Sequence, residues 1–148
     1  MPSLKLTTDE RIRAVEAIID YEFMHKTHLE TALAAAGATT AREGNKRGAA
    51  LGDAQLKTVI IMDSLRLGHS TGDIAKRRDT LATNTKLTQV GDQLGLKPYI
   101  QPNPAQGFVP DSVVATTVQA IIGAVFLDSN EDFRRTSLLI AHMGILEQ

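Results

Sequence analysis

Two histidines, His25 and His28, stand three residues apart where a helix is predicted to begin. Imidazole titrates near neutral pH and binds metal ions, so the pair could supply an acid–base group or part of a metal site. The sequence provides no third ligand at a matching spacing. We therefore favour the simpler interpretation, in which both are surface histidines bonded to solvent or backbone. The other two histidines, His69 and His142, follow no spacing pattern.

The run Lys76-Arg77-Arg78 is the one basic cluster in the sequence. A solvated helix face is the commoner role of such a short charge run and remains the alternative interpretation. Across the chain, 16 Lys and Arg oppose 17 Asp and Glu, which gives a net charge of −1. Proteins that bind nucleic acid tightly usually carry a basic surface, because phosphate contacts supply much of the affinity. We expect at most weak, salt-sensitive binding of a nucleic acid through these three residues.

The composition describes one compact domain. The chain has 148 residues, of which 43% are hydrophobic, and this is enough to build a core. It has no cysteine, which excludes disulfides, thiolate nucleophiles and cysteine-bound zinc. Residues 1–8 lack the apolar stretch of a secretory signal, and no segment predicts a membrane span. We expect a single domain over residues 1–148 in an intracellular, cytoplasmic location.

The sequence patterns predict that the elements that position these side chains are helices. No strand pattern of useful length is present. Thr7 and Glu10 predict a capping box for a first helix that runs to about Glu22. A shorter alanine-rich helix should open near Thr27 and close at Gly37.

A central buried helix is predicted over residues 46–67 by their dense apolar pattern. Gly48 and Gly52 lower its helix propensity by about 1 kcal/mol each relative to alanine, so we expect another helix to pack closely there. Caps and breakers predict the later boundaries. Ser70 or Thr71 and then Asn84 are the expected N-caps, Gly95 is a stop, and residues 97–110 form a proline-rich loop. An apolar helix should begin at Asp111, and residues 130–132 should start a last helix that contains Phe133, Leu138, Leu139 and Met143.

Two segments resemble the helical signatures of the ribonuclease III domain and occur in the same order. Residues 45–56, NKRGAALGDAQL, resemble NERLEFLGDAVL, and residues 118–128, VQAIIGAVFLD, resemble the end of ADxxEAxIGAxYLD. Between them, residues 71–87 are similar to EGELSRLRAALVNNETL. About residues 9–143 can be laid over one such domain. The stretch 103–129 is similar to small single-domain ribonuclease III-like proteins of filamentous fungi.

The resemblance implies where the metal-binding carboxylates of the family fall. The six positions are, in chain order, Lys46, Ala49, Asp53, Thr71, Thr116 and Gln119. Asp53 is the one acid among them, and it is the candidate catalytic residue. Glu43 and Asp73 are close enough in sequence to leave a rearranged site open.

This replacement has a consequence for the magnesium that the family uses. A two-metal phosphodiester cleavage site needs several carboxylates to offset the charge of two closely spaced dications. Gln119 and Thr116 could lend neutral oxygens, whereas Lys46 would add positive charge. We therefore expect no bound metal cofactor and a hydrogen-bonded, structural role for Asp53 in preference to residual metal binding.

The resemblance further implies an all-α helical bundle that pairs about a two-fold axis. In the family, the aromatic residue of the LEF triplet plugs a cavity in the partner subunit, and this position is Ala50 here. A large-to-small change of this kind typically costs about 3 kcal/mol. A homodimer remains the expected state. The double-stranded-RNA-binding domain of longer family members has no counterpart in these residues, so we expect only weak binding of double-stranded RNA.

Three hypotheses for function follow, in order of preference, and ribonuclease III activity by this chain alone is disfavoured. The first is a non-catalytic dimer that serves as a structural or RNA-associated module. The second is a scaffold whose former metal groove binds a small molecule or supports another reaction. The third is a nuclease whose site is completed by another subunit or by compensating acids. A positive stripe along the groove would favour RNA, and an enclosed apolar pocket would favour a small ligand.

Overall fold

The computed structural model describes residues 5–38 and 42–147, and this part of the chain is helical with no strand beyond one isolated bridge. The helices are α1 (Thr8–Ile19), α2 (Lys26–Ala32), α3 (Lys46–Arg66), α4 (Thr71–Leu81), α5 (Asn84–Leu94), α6 (Asp111–Asp128) and α7 (Phe133–His142). The predicted all-α bundle is confirmed. The prediction that residues 1–8 lack a secretory signal falls partly on residues 1–4, which lie outside the described residues.

Helix α6 is the centre of the bundle and packs against α2, α3, α5 and α7. Val118, Ile121 and Ile122 on this helix have no solvent exposure. By length and composition alone α6 could cross a membrane, but 61% of it is buried inside the protein. Burial of this extent is what the core helix of a bundle shows, because it is apolar on all sides.

Helices α3 and α6 approach each other closely through glycines. A Cβ atom added to Gly52 would overlap the carbonyl oxygen of Gln119, and one added to Gly123 would overlap the carbonyl oxygen of Gly48. The close packing predicted from Gly48 and Gly52 is therefore confirmed. The crossing brings Asp53, which follows Gly52 on α3, beside Gln119 on α6.

The first helix begins as predicted and ends earlier. The Thr7–Glu10 capping box is present, with Glu10 N–H donating to Thr7 Oγ1 at 3.1 Å and Thr7 N–H donating to Glu10 Oε1 at 3.0 Å. The helix stops at Ile19 instead of near Glu22, because Asp20 adopts a left-handed conformation with φ of 54°. The following segment crosses to α6 and is bonded there.

The second helix is also shorter than predicted, ending at Ala32 instead of Gly37. After it, Leu33 C=O accepts from Gln101 N–H at 2.8 Å, and Ala35 N–H donates to Gln101 C=O at 3.0 Å. These two bonds surround the isolated parallel bridge between Ala34 and Gln101. A partner from a distant part of the chain has displaced the local helical pattern.

The rest of the chain agrees closely with the elements predicted from the sequence, and the differences are small. Thr83 caps α5 and Asn84 is its first residue, while Gly95 ends it in a left-handed conformation as predicted. The proline-rich loop contains one turn of 3₁₀ helix, Lys97–Tyr99. Leu138, one of the apolar residues of the predicted last helix, is 55% exposed.

Candidate active site

Asp53 lies on the solvent side of α3, in a stripe with Lys46, Ala50 and Lys57. Positions spaced by three or four residues share one face of an α-helix, so these four side chains follow one another along α3. Lys46 and Ala50 are exposed, whereas Asp53 and Lys57 are half-buried beside α6. The stripe carries two positive charges and one negative charge.

Both carboxylate oxygens of Asp53 already accept hydrogen bonds. Lys57 Nζ donates to Oδ2 at 3.0 Å, one helical turn further along α3. Gln119 Nε2 donates to Oδ1 at 3.2 Å from α6. Asp53, Lys57 and Gln119 therefore form a hydrogen-bonded network across the α3–α6 crossing, which we call the Asp53 network.

The other family positions near this network provide little ligand capacity. Ala49 is buried and has no polar group, and the Thr116 hydroxyl donates to the Ser112 carbonyl oxygen at 2.8 Å. Lys46 begins α3 and has no carboxylate within 4.0 Å among the described residues. Glu43 is exposed just before α3.

Thr71 and Asp73 lie at the other end of α3. They belong to the first turn of α4, which follows the end of α3 at Arg66. Because an α-helix rises about 1.5 Å per residue, Arg66 is roughly 20 Å from Asp53 along α3. Within one chain, the fold therefore does not bring Thr71 or Asp73 to Asp53.

The residues around Asp53 do not fit a pair of magnesium ions. Mg²⁺ requires near-octahedral oxygen ligation and usually uses carboxylates that are free to bind it. Here one carboxylate is present, and an ammonium and an amide occupy its two oxygens. Across residues 5–38 and 42–147, no group of three or more His, Asp or Glu side chains is arranged to hold a metal ion.

The two histidines do not assemble a site. The ring centroids of His25 and His28 are 6.1 Å apart, and no further ligand in the described part of the chain joins them. The His25 side chain is exposed and forms no cap for α2, whereas its backbone N–H donates to Asp128. The interpretation as surface histidines agrees with this geometry.

The basic run is divided by the fold. The Arg77 side chain is only 9% exposed, and its Nη1 contacts Asp63 Oδ2 at 2.8 Å and donates to Ser64 Oγ at 3.0 Å. Its guanidinium thus links α4 to α3 and is not available to RNA, contrary to the expectation from the sequence. Lys76 is exposed and Arg78 half-exposed, so these two remain candidate RNA contacts.

Two buried polar residues position the site and were not singled out in the sequence. Asn45 Nδ2 donates to the Ala32 carbonyl oxygen at 2.9 Å and to Thr117 Oγ1 at 3.0 Å, which fixes the start of α3 against α2 and α6. Asp128, at the end of α6, accepts bonds from the segment between α1 and α2. Both occupy polar positions of the two signatures, which is the signal that could have identified them.

A groove of about 480 Å³ lies between α2, α3 and α6. Its lining residues are Thr27, His28, Thr31, Ala32, Gly44, Asn45, Arg47, Gly48, Leu51, Ala120, Ala124 and Leu127. None of the Asp53 network belongs to it. The small-ligand pocket expected around Asp53 is therefore not supported by this groove.

A family model described as the Ribonuclease III domain matches residues 46–130. The Ribonuclease 3 of Shewanella woodyi is 34% identical to this chain, over 82% of the chain and 56% of its own length. That of Vibrio cholerae is 34% identical, over 70% of the chain and 49% of its own length. The chain thus spans about half the length of these curated relatives.

Two solved structures of the nuclease domain of ribonuclease III from Campylobacter jejuni share the fold. One is 25% identical, has a TM-score of 0.80, and covers 89% of this chain and 94% of its own. In that domain, a region involved in dimer formation is structurally flexible. The other is 25% identical, has a TM-score of 0.79, and covers 92% of this chain and 93% of its own.

These relationships correct the function expected from the sequence. A non-catalytic module, a repurposed ligand groove and a site completed by a partner were the three hypotheses, and the comparisons contradict them: relatives named Ribonuclease 3 and nuclease-domain structures point to an endonuclease. The expectation of no metal cofactor gains no support either, since ribonuclease III enzymes usually need Mg²⁺. The relatives are bacterial, so the narrower likeness to fungal proteins is also unsupported. The match over residues 46–130, together with the shared fold, establishes that this chain belongs to the ribonuclease III domain family.

Proposed function

We propose that this chain acts as the nuclease domain of a ribonuclease III-type endonuclease on double-stranded RNA, with Asp53 as its catalytic residue. The main support is membership of the family, together with the retention of Asp53 on α3 at the crossing with α6. Residues 9–143 would form the catalytic unit as one domain, and we propose a cytoplasmic location by analogy with the relatives.

Hydrolysis of a phosphodiester requires a deprotonated water, a counter-charge for the phosphate oxygens and a proton for the leaving oxygen. On the exposed side of α3 the Asp53 carboxylate can accept the proton of the attacking water, and the leaving oxygen takes its proton from solvent water. The Lys57 ammonium, bonded to that carboxylate, can offset the charge that develops on phosphate. Gln119 holds the carboxylate in position from α6. No step is assigned to magnesium, because the side chains present do not fit a pair of magnesium ions.

RNA would approach the exposed side of α3. Lys46 and Lys57 lie along that side, and Lys76 and Arg78 provide further positive charge on α4. With a net charge of −1 over the chain, the attraction is local, so binding should be weak and reduced by salt.

We also propose that the chain acts as a homodimer. The groove between α2, α3 and α6 is bordered by Leu127, which is 46% exposed, and by the half-buried Leu51. A second copy that covers these side chains would remove apolar surface from water. Ala50, which lacks the family's aromatic side chain, makes this a weaker dimer than the family norm.

The test is a time course on long duplex RNA with Mg²⁺ or Mn²⁺ in separate reactions. We expect the chain to produce shorter duplex fragments, and the Asp53→Asn variant to be slower by about 10²–10⁴-fold, the usual contribution of a general base. Asp92→Asn, an exposed acid on α5, serves as the matched control and should retain the wild-type rate. Absence of product with both metals, or cleavage by Asp53→Asn at the wild-type rate, would contradict the proposal.

A further inference from the structure

The charge pattern beside Asp53 differs from that of a site built for dications. A two-metal site presents a surplus of negative charge until the metals bind. Here Lys46, Asp53 and Lys57 lie along one face of α3, and their charges sum to a positive value. The acidic positions of the family on α6 are held by the neutral residues Thr116 and Gln119.

Lys57 is placed to present this net positive charge to a ligand. Its ammonium has three N–H donors, and its one side-chain hydrogen bond within the described residues goes to Asp53. The side chain is 45% exposed, so the other two donors can face solvent. The Asp53 carboxylate fixes where the ammonium lies, and a positioned ammonium is a common ligand for phosphate.

A metal ion would have to compete with this ammonium for the same carboxylate. A dication bound at Asp53 Oδ2 would lie against the positive charge that now occupies that oxygen. At Oδ1 it would lie beside the Gln119 amide, which already donates a hydrogen bond to that oxygen. Each Asp53 oxygen therefore has a hydrogen-bond donor without a metal.

We propose that the Lys57 ammonium takes the place of a divalent cation at Asp53 and contacts an RNA phosphate directly. The inference rests on the proposed function, in which RNA lies along α3. It assigns Lys57 a specific role, phosphate binding that is independent of divalent metal, and it gives Asp53 and Gln119 the role of positioning the ammonium before RNA arrives.

The first test measures the affinity for a short duplex RNA by fluorescence anisotropy, in EDTA and in Mg²⁺ at matched ionic strength. We expect equal affinities in the two buffers. Lys57→Met should weaken binding severalfold and lower the slope of log K against log salt by about 1, the loss of one phosphate contact. Binding that requires Mg²⁺, or that is unchanged in Lys57→Met, would overturn the inference.

Lys26 provides the matched control for that variant. It is 46% exposed and paired with Glu16 on α1, so Lys26→Met removes an ammonium from a similar ion pair outside the α3 face. This variant should bind RNA as the wild type does. The Asp53→Asn/Lys57→Met double variant removes the uncovered carboxylate as well. The affinity of the double variant for RNA should remain weak. Recovery of affinity would mean that repulsion by Asp53, and not a lost phosphate contact, weakens RNA binding in Lys57→Met.

The second test uses no RNA. Titration calorimetry with Mn²⁺ alone should give no saturable heat for the wild type, and a saturable signal for Lys57→Ala/Gln119→Glu, which frees Asp53 and adds a carboxylate. Saturable binding to the wild type that disappears in Asp53→Asn would overturn the inference. Cleavage is measured separately, so failure of the proposed function would leave the metal and RNA affinities to decide this inference on their own.

Discussion

Asp128 is a buried carboxylate at the end of α6 that holds the segment between α1 and α2. It accepts hydrogen bonds from Tyr21 Oη at 2.7 Å, Met24 N–H at 2.8 Å and His25 N–H at 2.8 Å. Burial raises the pKa of Asp128, but these three bonds together outweigh it and hold the pKa below its usual value. Burial and the neighbouring charge raise the pKa of Tyr21 well above its usual value, so the phenol stays a donor.

We expect Asp128→Asn to lower the free energy of unfolding at neutral pH by about 1–3 kcal/mol, because the amide group leaves at least one donor unsatisfied. A carboxyl with a lowered folded pKa stabilises the protein above its unfolded pKa, near 3.9, and that contribution is lost as pH falls through the folded value. The difference between wild type and variant should therefore be constant above about pH 5 and shrink in acid. Urea unfolding measured across this range, with Asp92→Asn as control, checks both statements. A difference that grows in acid would refute them.

At the scale of single residues, the sequence proposed Asp53 as the candidate catalytic residue but did not predict the side chains that bond to it. Lys57 is four residues from Asp53 on one helix, so their pairing follows from helical geometry alone. The bond from Gln119 depends on the crossing of α3 with α6, which no local pattern defines. The burial of Arg77 likewise depends on the packing of α4 against α3, which brings its guanidinium to Asp63 and Ser64.

At the scale of elements, the crossing of α3 with α6 is the feature on which the site depends. Gly52 lies where any side chain would overlap the backbone of α6. Asp53 and Gln119 can hydrogen-bond because the two helices come this close. The backbone separation and the site geometry are therefore coupled.

We expect Gly52→Ala to destabilise the protein by about 1–3 kcal/mol or more, because the added methyl group forces the helices apart. Gly72→Ala is the control: it lies in the first turn of α4, where the added Cβ would make an ordinary contact with Ser70 Oγ at 4.0 Å, so the change should be neutral or stabilising by up to about 1 kcal/mol. Thermal unfolding of both variants gives the comparison. Equal stability of Gly52→Ala and wild type would show that the crossing tolerates a wider separation.

The helices themselves were predictable where local rules apply. The capping box at Thr7, the long α3 and the stop at Gly95 are each determined by nearby residues. The ends of α1 and α2 were not, because Asp128 and Gln101 from distant parts of the chain supply the partners there. Apolar spacing predicts that a helix exists, whereas tertiary hydrogen bonds decide where it ends.

At the scale of the whole molecule, the proposed homodimer is tested through the groove between α2, α3 and α6. Leu127→Asp introduces a charge at the border of that groove and should convert the dimer to a monomer, because an unpaired charge would be buried in the interface. Leu138→Asp on α7 is matched in exposure, at 55% against 46%, and should leave the mass unchanged. Light scattering at micromolar concentration measures both. A monomeric wild type, or equal effects of the two variants, would contradict the dimer.

The bonds to Asp128 also bear on how the chain reaches its folded state. Tyr21 and Met24 are separated from Asp128 by 107 and 104 residues, so these contacts close very long loops. Loop closure carries an entropic cost that must be met before such contacts form, and long-range contacts slow folding. Helices α1 and α2 precede α6 along the chain, so during synthesis their anchor at the end of α6 emerges after them. We therefore expect the amino-terminal pair to dock late, onto a bundle that α3, α5 and α6 have already assembled.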